Sequence, residues 1–113
     1  MPDNHDMQIK ADEIEWTEID GGLKRKILGY NDNLMMVKIL FPKGSIGYEH
    51  SHPHTQSTFV AEGVFEVTID GKTETLKKGD TFFVQPNLKH GVKNIEEGIL
   101  IDVFTPKRED FLK

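Results

Sequence analysis

Five histidines occur in the 113-residue chain, and three of them, His50, His52 and His54, alternate within one short segment. In an extended strand, side chains two residues apart share a face, so His50 and His52 point the same way, with His54 next in the alternation. Two imidazoles on one face can reach a single ion, each nitrogen bonding at about 2.1 Å. A solitary histidine is most often a hydrogen-bonded structural residue, whereas three in alternation make divalent metal binding the better reading. A second group lies near the C-terminus. Ile99-Leu100-Ile101-Asp102-Val103-Phe104 is apolar except for Asp102, which shares a face with Leu100 and Phe104, opposite Ile99, Ile101 and Val103. A carboxylate on a buried face is costly unless paired, so Asp102 is either bound to a cation or functional. Arg108 is the nearest candidate partner along the sequence. An Asp102–Arg108 ion pair that pins the C-terminal segment and a catalytic Asp102 account equally well for these residues. Lys24-Arg25-Lys26 adds positive charge, which an exposed strand face explains as well as a site does.

The elements that must position these groups are short strands between turn signals. Leu23–Tyr30 and Leu34–Phe41 are two such runs, divided by Asn31-Asp32-Asn33, whose residues tolerate positive φ. Val64 to Asp70 alternates, with Phe65, Val67 and Ile69 on one face, and Asp70-Gly71 then predicts a type I′ hairpin into Lys72–Leu76. Lys78-Gly79-Asp80 is a further turn, followed by strands at Thr81–Val84, Gly91–Lys93 and Ile99–Phe104. This spacing predicts an all-β antiparallel sandwich or barrel. The one helix expected is C-terminal, with Thr105 as N-cap, Pro106 at the first helical position and the turn continuing through Phe111.

The length suits a single domain over residues 1–113, large enough to fold without disulfides or a structural metal. The absence of cysteine excludes a disulfide framework, a thiolate metal site and a cysteine nucleophile. Met1 to Asp6 is polar and lacks the pattern of a secretory leader. The longest apolar run, Leu34–Phe41, is broken by Lys38 and too short to span a bilayer. A net charge of −5 with interspersed signs predicts no nucleic-acid or anionic-membrane partner and a cytoplasmic location.

The histidine segment resembles the first cupin motif, with Gly44, His50, His52 and Gly63 in register and Gln56 where the family usually has glutamate. The second cupin motif matches at Gly79, His90 and Asn94. It departs at Gln85, in the place of proline, and at Asn87, in the place of glycine, where asparagine can still adopt the left-handed conformation. The resemblance implies an all-β cupin, a double-stranded β-helix or jelly-roll barrel. Its core would span about residues 34–104, with N-terminal strands in 14–30 and one metal held by His50, His52, Gln56 and His90. Reading His52 and His54 as the histidine pair would put Thr58 in the ligand position and Tyr48 in that of the leading glycine. His54 is therefore assigned to the pocket rim or to a supporting role behind a ligand.

Asp102 to Phe111, together with the His-Ser-His-Pro-His-x-Gln block, resembles the KdgF-like cupins of pectin and alginate degradation, which linearise 4,5-unsaturated uronates. The resemblance implies a small anionic sugar as substrate, catalytic roles for Asp102, Phe104 and Arg108, and a homodimer, for which Leu34-Met35-Met36-Val37 is the expected contact strand. Gln56 in place of a carboxylate leaves the charge of the ion uncompensated, which favours an anionic substrate and Lewis-acid chemistry. Ni, Zn, Fe, Co and Mn all suit three imidazoles and an amide. An iron-dependent cupin dioxygenase, disfavoured by Gln56, and a non-catalytic metal- or sugar-binding cupin are the alternatives.

Overall fold

Alternating apolar residues in the central strands decide which side of the sheet becomes interior. In the computed structural model, which describes residues 7–113, eight strands succeed one another in chain order. They are β1 (Thr17–Glu18), β2 (Lys24–Tyr30), β3 (Met35–Phe41), β4 (Ile46–His50), β5 (Thr55–Ile69), β6 (Lys72–Lys77), β7 (Thr81–Val84) and β8 (His90–Thr105). Met1 to Asp6, whose sequence lacks a leader pattern, lie outside the described residues. Every neighbouring pair is antiparallel, in the order β1-β2-β3-β8-β5-β6, with β4 added on β8 and β7 on β5. No helix among the described residues is long and apolar enough to cross a membrane.

β5 and β8 are the two long strands, and both change partners midway. The first half of β5 pairs with β7 and its second half with β6. The second half of β8 pairs with β3 and its first half with β4. The sheet therefore folds on itself where the β5–β8 register shifts, between Val60 and Phe65. Backbones approach so closely there that a Cβ on Gly98 would lie 2.2 Å from the Glu62 carbonyl oxygen, and one on Gly63 2.6 Å from that of Glu96. Only glycine fits such a corner. Inside, Met35, Val37, Val60, Phe65, Val84, Leu100 and Phe104 are buried, and Phe41 meets Phe65 edge-on at 5.1 Å. Burying each such side chain contributes about 1.5–3 kcal/mol.

The turns obey the expected chemistry. Asp70 and Gly71 both take positive φ, 50° and 81°, as a type I′ turn requires. Asn87 sits at φ 68°, so it does supply the left-handed residue that glycine would. Asn31 works differently: its Oδ1 accepts from the backbone N–H of Asn33 and Leu34, an Asx-type turn without positive φ.

The C-terminal helix is not formed. Thr105 remains the last residue of β8, and the chain beyond it makes only a 3-10 turn at Glu109–Leu112, whose preceding residue, Arg108, is extended and makes no capping bond. A helix of so few residues has little propensity of its own. Tertiary contacts decide instead, because Arg108 turns its guanidinium onto Phe104 and Phe111, 5.0 and 4.3 Å from their ring centroids.

Candidate functional site

β4 ends at His50 and β8 begins at His90, and the two face each other as register partners. His52 lies in the loop that leads into β5, so the alternation of a strand stops at His50 and the loop brings His52 beside His50 and His90. The candidate ligand nitrogens of His50, His52 and His90 all lie within 4.8 Å of one another. The Nδ1 atom of each ring contacts a main-chain carbonyl: Tyr48 at 2.9 Å from His50, His54 at 3.2 Å from His52 and Leu88 at 3.0 Å from His90. An Nδ1–H donated to those carbonyls fixes the tautomer and leaves the Nε2 lone pairs for the site. Burial lowers the pKa of His52 and takes that of His90 down to about 4. Neutral imidazole is the metal-binding form.

Two observations show that this donor set fits a cation. Nε2 of His90 is buried with no partner. Nε2 of His52 lies 2.9 Å from Oε1 of Gln56, whose amide nitrogen donates to Thr58 at 2.9 Å and toward Asp102 at 3.4 Å. The neutral ring of His52 can donate to the His54 carbonyl or to Gln56, but not to both. Either imidazolium or a cation at Nε2 satisfies both contacts, and burial opposes the imidazolium. Two atoms bonded at about 2.1 Å to one ion, at right angles, would lie about 3 Å apart, which matches the His52–Gln56 contact.

Asp102 faces inward with Leu100 and Phe104, as alternation predicts. Thr58 Oγ1 donates to its Oδ1 at 2.6 Å. Burial raises the Asp102 pKa to about 6, against the opposing pull of the Thr58 hydrogen bond, the Arg108 charge and the Gln56 hydrogen bond. A hydrogen-bonded chain thus runs from Gln56 through Thr58 to Asp102, and its first member touches His52. Sequence reasoning missed Thr58, although Gln56, Thr58 and Val60 share the inward face of β5 and a polar residue between a ligand and a core valine was the signal.

The Asp102–Arg108 ion pair is not formed. Arg108 donates through Nε and Nη2 to the two carboxylate oxygens of Asp110, at 3.0 and 2.8 Å. Asp110 stands two residues away on the same turn and matches the guanidinium fork, so it outcompetes a carboxylate already held by Thr58. His54 stays out of the triad. Its Nε2 contacts the Lys107 carbonyl at 3.1 Å and its own carbonyl meets His52 Nδ1, which ties the C-terminal segment and a ligand to one loop. Arg25, which an exposed strand face would explain equally well by sequence, lines the cavity. Lys26 is buried, with Nζ on the Ala11 carbonyl at 2.8 Å and over the Trp16 ring.

His50, Gln56, His90, Asp102, Phe104 and Arg108 open onto one cavity of about 200 Å³, whose wall is otherwise apolar apart from Arg25. A small pocket that joins candidate metal ligands, a buried carboxylate and arginine suits a small anionic molecule. The cupin domain model matches residues 37–104, which include all of these groups except Arg108. The chain is 50% identical over 103 residues to the pectin degradation protein KdgF of Dickeya dadantii, covering 89% of this chain and 94% of that one. An RmlC-like cupin from Shewanella frigidimarina superposes with a TM-score of 0.92 at 48% identity, covering 94% of this chain and 96% of the other. KdgF from Halomonas sp. superposes with a TM-score of 0.88 at 33% identity, over 91% and 96% of the two chains. Fold, motif and near full-length similarity agree, and the chain belongs to the cupins and, within them, to the KdgF family.

Proposed function

We propose that the protein converts a 4-deoxy-Δ4,5-hexuronate into the linear 5-keto-4-deoxyuronate, with His50, His52, Gln56 and His90 holding one divalent transition metal. The observation that carries the reading is Asp102, a buried carboxylate with a pKa of about 6 that opens onto the same cavity as His50 and His90 of the triad. The name of the Dickeya relative supports a sugar acid released from pectin as the substrate. The metal, when bound, supplies a Lewis acid for oxygens of the substrate.

The reaction is an isomerisation and needs no redox partner. Asp102 removes the proton of the anomeric hydroxyl as the C1–O5 bond breaks, and the electron pair of that bond goes to the enol oxygen. The same carboxyl then delivers the proton to C4 as the enol becomes a ketone, so one proton moves from oxygen to carbon. A carboxyl with a pKa near 6 can both take and return a proton at neutral pH. Phe104, fully buried beside His52 at a centroid distance of 5.7 Å, forms the floor on which the ring packs. Arg108, fixed by Asp110, contributes positive charge above Phe104.

The conjugated enol ether of the substrate absorbs ultraviolet light and the keto product does not, so decay of that absorbance reads the reaction. Asp102→Asn is expected to keep fold and metal and to lose turnover by about a hundred- to ten-thousandfold, the usual size of a positioned acid–base group. Wild-type turnover in Asp102→Asn would reject the mechanism. A wild type that does not accelerate the decay would leave the binding-module reading.

A further inference from the structure

Two arginines line the cavity, and their surroundings differ. Arg108 has its fork engaged by Asp110 at 3.0 and 2.8 Å. Arg25 has no hydrogen bond or ion pair with any described side chain. Its position is unusual for a cation. It stands between Leu23 and Ile27, which are 6% and 4% exposed, and its register partner across the sheet is Ile39, another cavity-lining residue. An arginine at a core-facing position of a strand, lacking an internal anion, lacks the partner that offsets its burial.

The guanidinium is nevertheless held in place. Its central carbon lies 4.0 Å from the centroid of the Phe111 ring, and that of Arg108 lies 4.3 Å from the same centroid. Stacking on an aromatic face orients the planar group and leaves its edge, which carries the donors, free. Burial works against the charge of Arg25, attraction from Asp110 supports it and repulsion from Arg108 again opposes it. Asp110, whose oxygens already hold Arg108, is the carboxylate whose attraction reaches Arg25, so among the described residues the donors of Arg25 have no anion of their own.

We propose that Arg25 binds the carboxylate of the substrate and makes the pocket select a sugar acid over the corresponding neutral sugar, while Arg108 stays with Asp110; this rests on the uronate reading of the same cavity. A carboxylate accepts two parallel N–H bonds from a guanidinium fork, which a hydroxymethyl group cannot. Phe111, on the 3-10 turn, then acts as the platform that keeps the fork aimed inward.

The test uses metal-loaded protein titrated calorimetrically with galacturonate and with galactose, both saturated, so that binding is read without turnover. The wild type is expected to prefer the acid. Arg25→Gln is expected to weaken galacturonate by about ten- to a hundredfold, the size of a lost hydrogen bond to a charged group, and to leave galactose unchanged. Arg108→Gln is expected to keep the preference for the acid. A wild type without that preference, an Arg25→Gln protein that retains it, or its loss in Arg108→Gln instead overturns the proposal. If Arg25→Gln does not fold, Arg25→Lys decides, since it keeps the charge and loses the fork: a several-fold weaker galacturonate supports the proposal and wild-type affinity overturns it. The uronate reading fails separately. A wild type that selects the acid through Arg25 yet leaves the ultraviolet absorbance of the unsaturated uronate untouched has the anion site without the reaction.

Discussion

At the scale of single residues, polar groups whose hydrogen bonds do not close among themselves mark the site. His90 Nε2 has no partner, and the contacts of His52 with the His54 carbonyl and with Gln56 are satisfied together only with a positive charge. Replacing His50, His52 or His90 by alanine is expected to remove the metal, and His54→Ala to keep it. Elemental analysis of purified protein, with about one divalent ion per chain in the wild type, checks both. Metal retained in all three of the first variants would reject the ligand set. Thr58 is the residue to test next, because it accepts from Gln56 and donates to Asp102 at 2.9 and 2.6 Å. Thr58→Val keeps the shape and removes a hydrogen bond to a charged group worth about 1.5–3 kcal/mol. Turnover should fall about ten- to a hundredfold, with Thr58→Ser recovering most of it; a lowered melting temperature with full turnover would make Thr58 merely structural. The histidines were legible because motif spacing constrains them, even though His52 lies beyond the end of its strand. Thr58 and Arg25 were not, since a threonine in a strand is unremarkable and a lysine-flanked arginine resembles a solvated face.

At the scale of elements, the corner between Glu62 and Gly98 does what no single strand can. It lets β5 and β8 serve two sheet faces and brings the start of β8, with His90, over the end of β8, with Asp102 and Phe104. Gly98→Ala would place a methyl group 2.2 Å from the Glu62 carbonyl oxygen, a contact that backbone must yield to. We expect a destabilisation of about 2–3 kcal/mol, read as a lower urea midpoint, whereas Gly79→Ala, with open space around its added methyl but a φ of 95°, should cost less. Equal midpoints for Gly98→Ala and the wild type would show that the corner relaxes freely. β2, β3, β6 and β7 were readable to within a residue, since alternation and Asp70-Gly71 are local signals. The unity of β5 and of β8 was not, because the register shifts that bend each of them depend on the opposite strand. The expected C-terminal helix failed for the same kind of reason: the Thr-Pro start signal is local, while the packing of Arg108 on Phe104 and Phe111 is not.

At the scale of the whole molecule, the outer face of the sheet is less polar than an isolated protein needs. Apolar Leu34-Met35-Met36-Val37 does not bury both its faces. Met35 and Val37 are fully enclosed, whereas Leu34 and Met36 are 47% and 41% exposed. Register carries the apolar surface onward from Met36 to Val103 on β8, then across Ser57 on β5 to Phe83 on β7. A second row runs from Ile101 to Phe59, and Phe59 and Phe83 are 45% and 54% exposed. Four adjacent strands at about 4.8 Å spacing make this patch about 15 Å across, and contiguous apolar surface of that kind marks a contact site rather than scattered exposure. We expect a homodimer formed through this face, on the side of the sheet opposite the cavity, so that each pocket is complete within its own chain. Light scattering at micromolar concentration should give twice the 12.9 kDa chain mass. Phe59→Lys with Phe83→Lys should give the monomer with metal content and pocket intact, because both side chains point away from the interior. A wild type that scatters as a monomer rejects the dimer, and a double variant that remains dimeric moves the interface to another face.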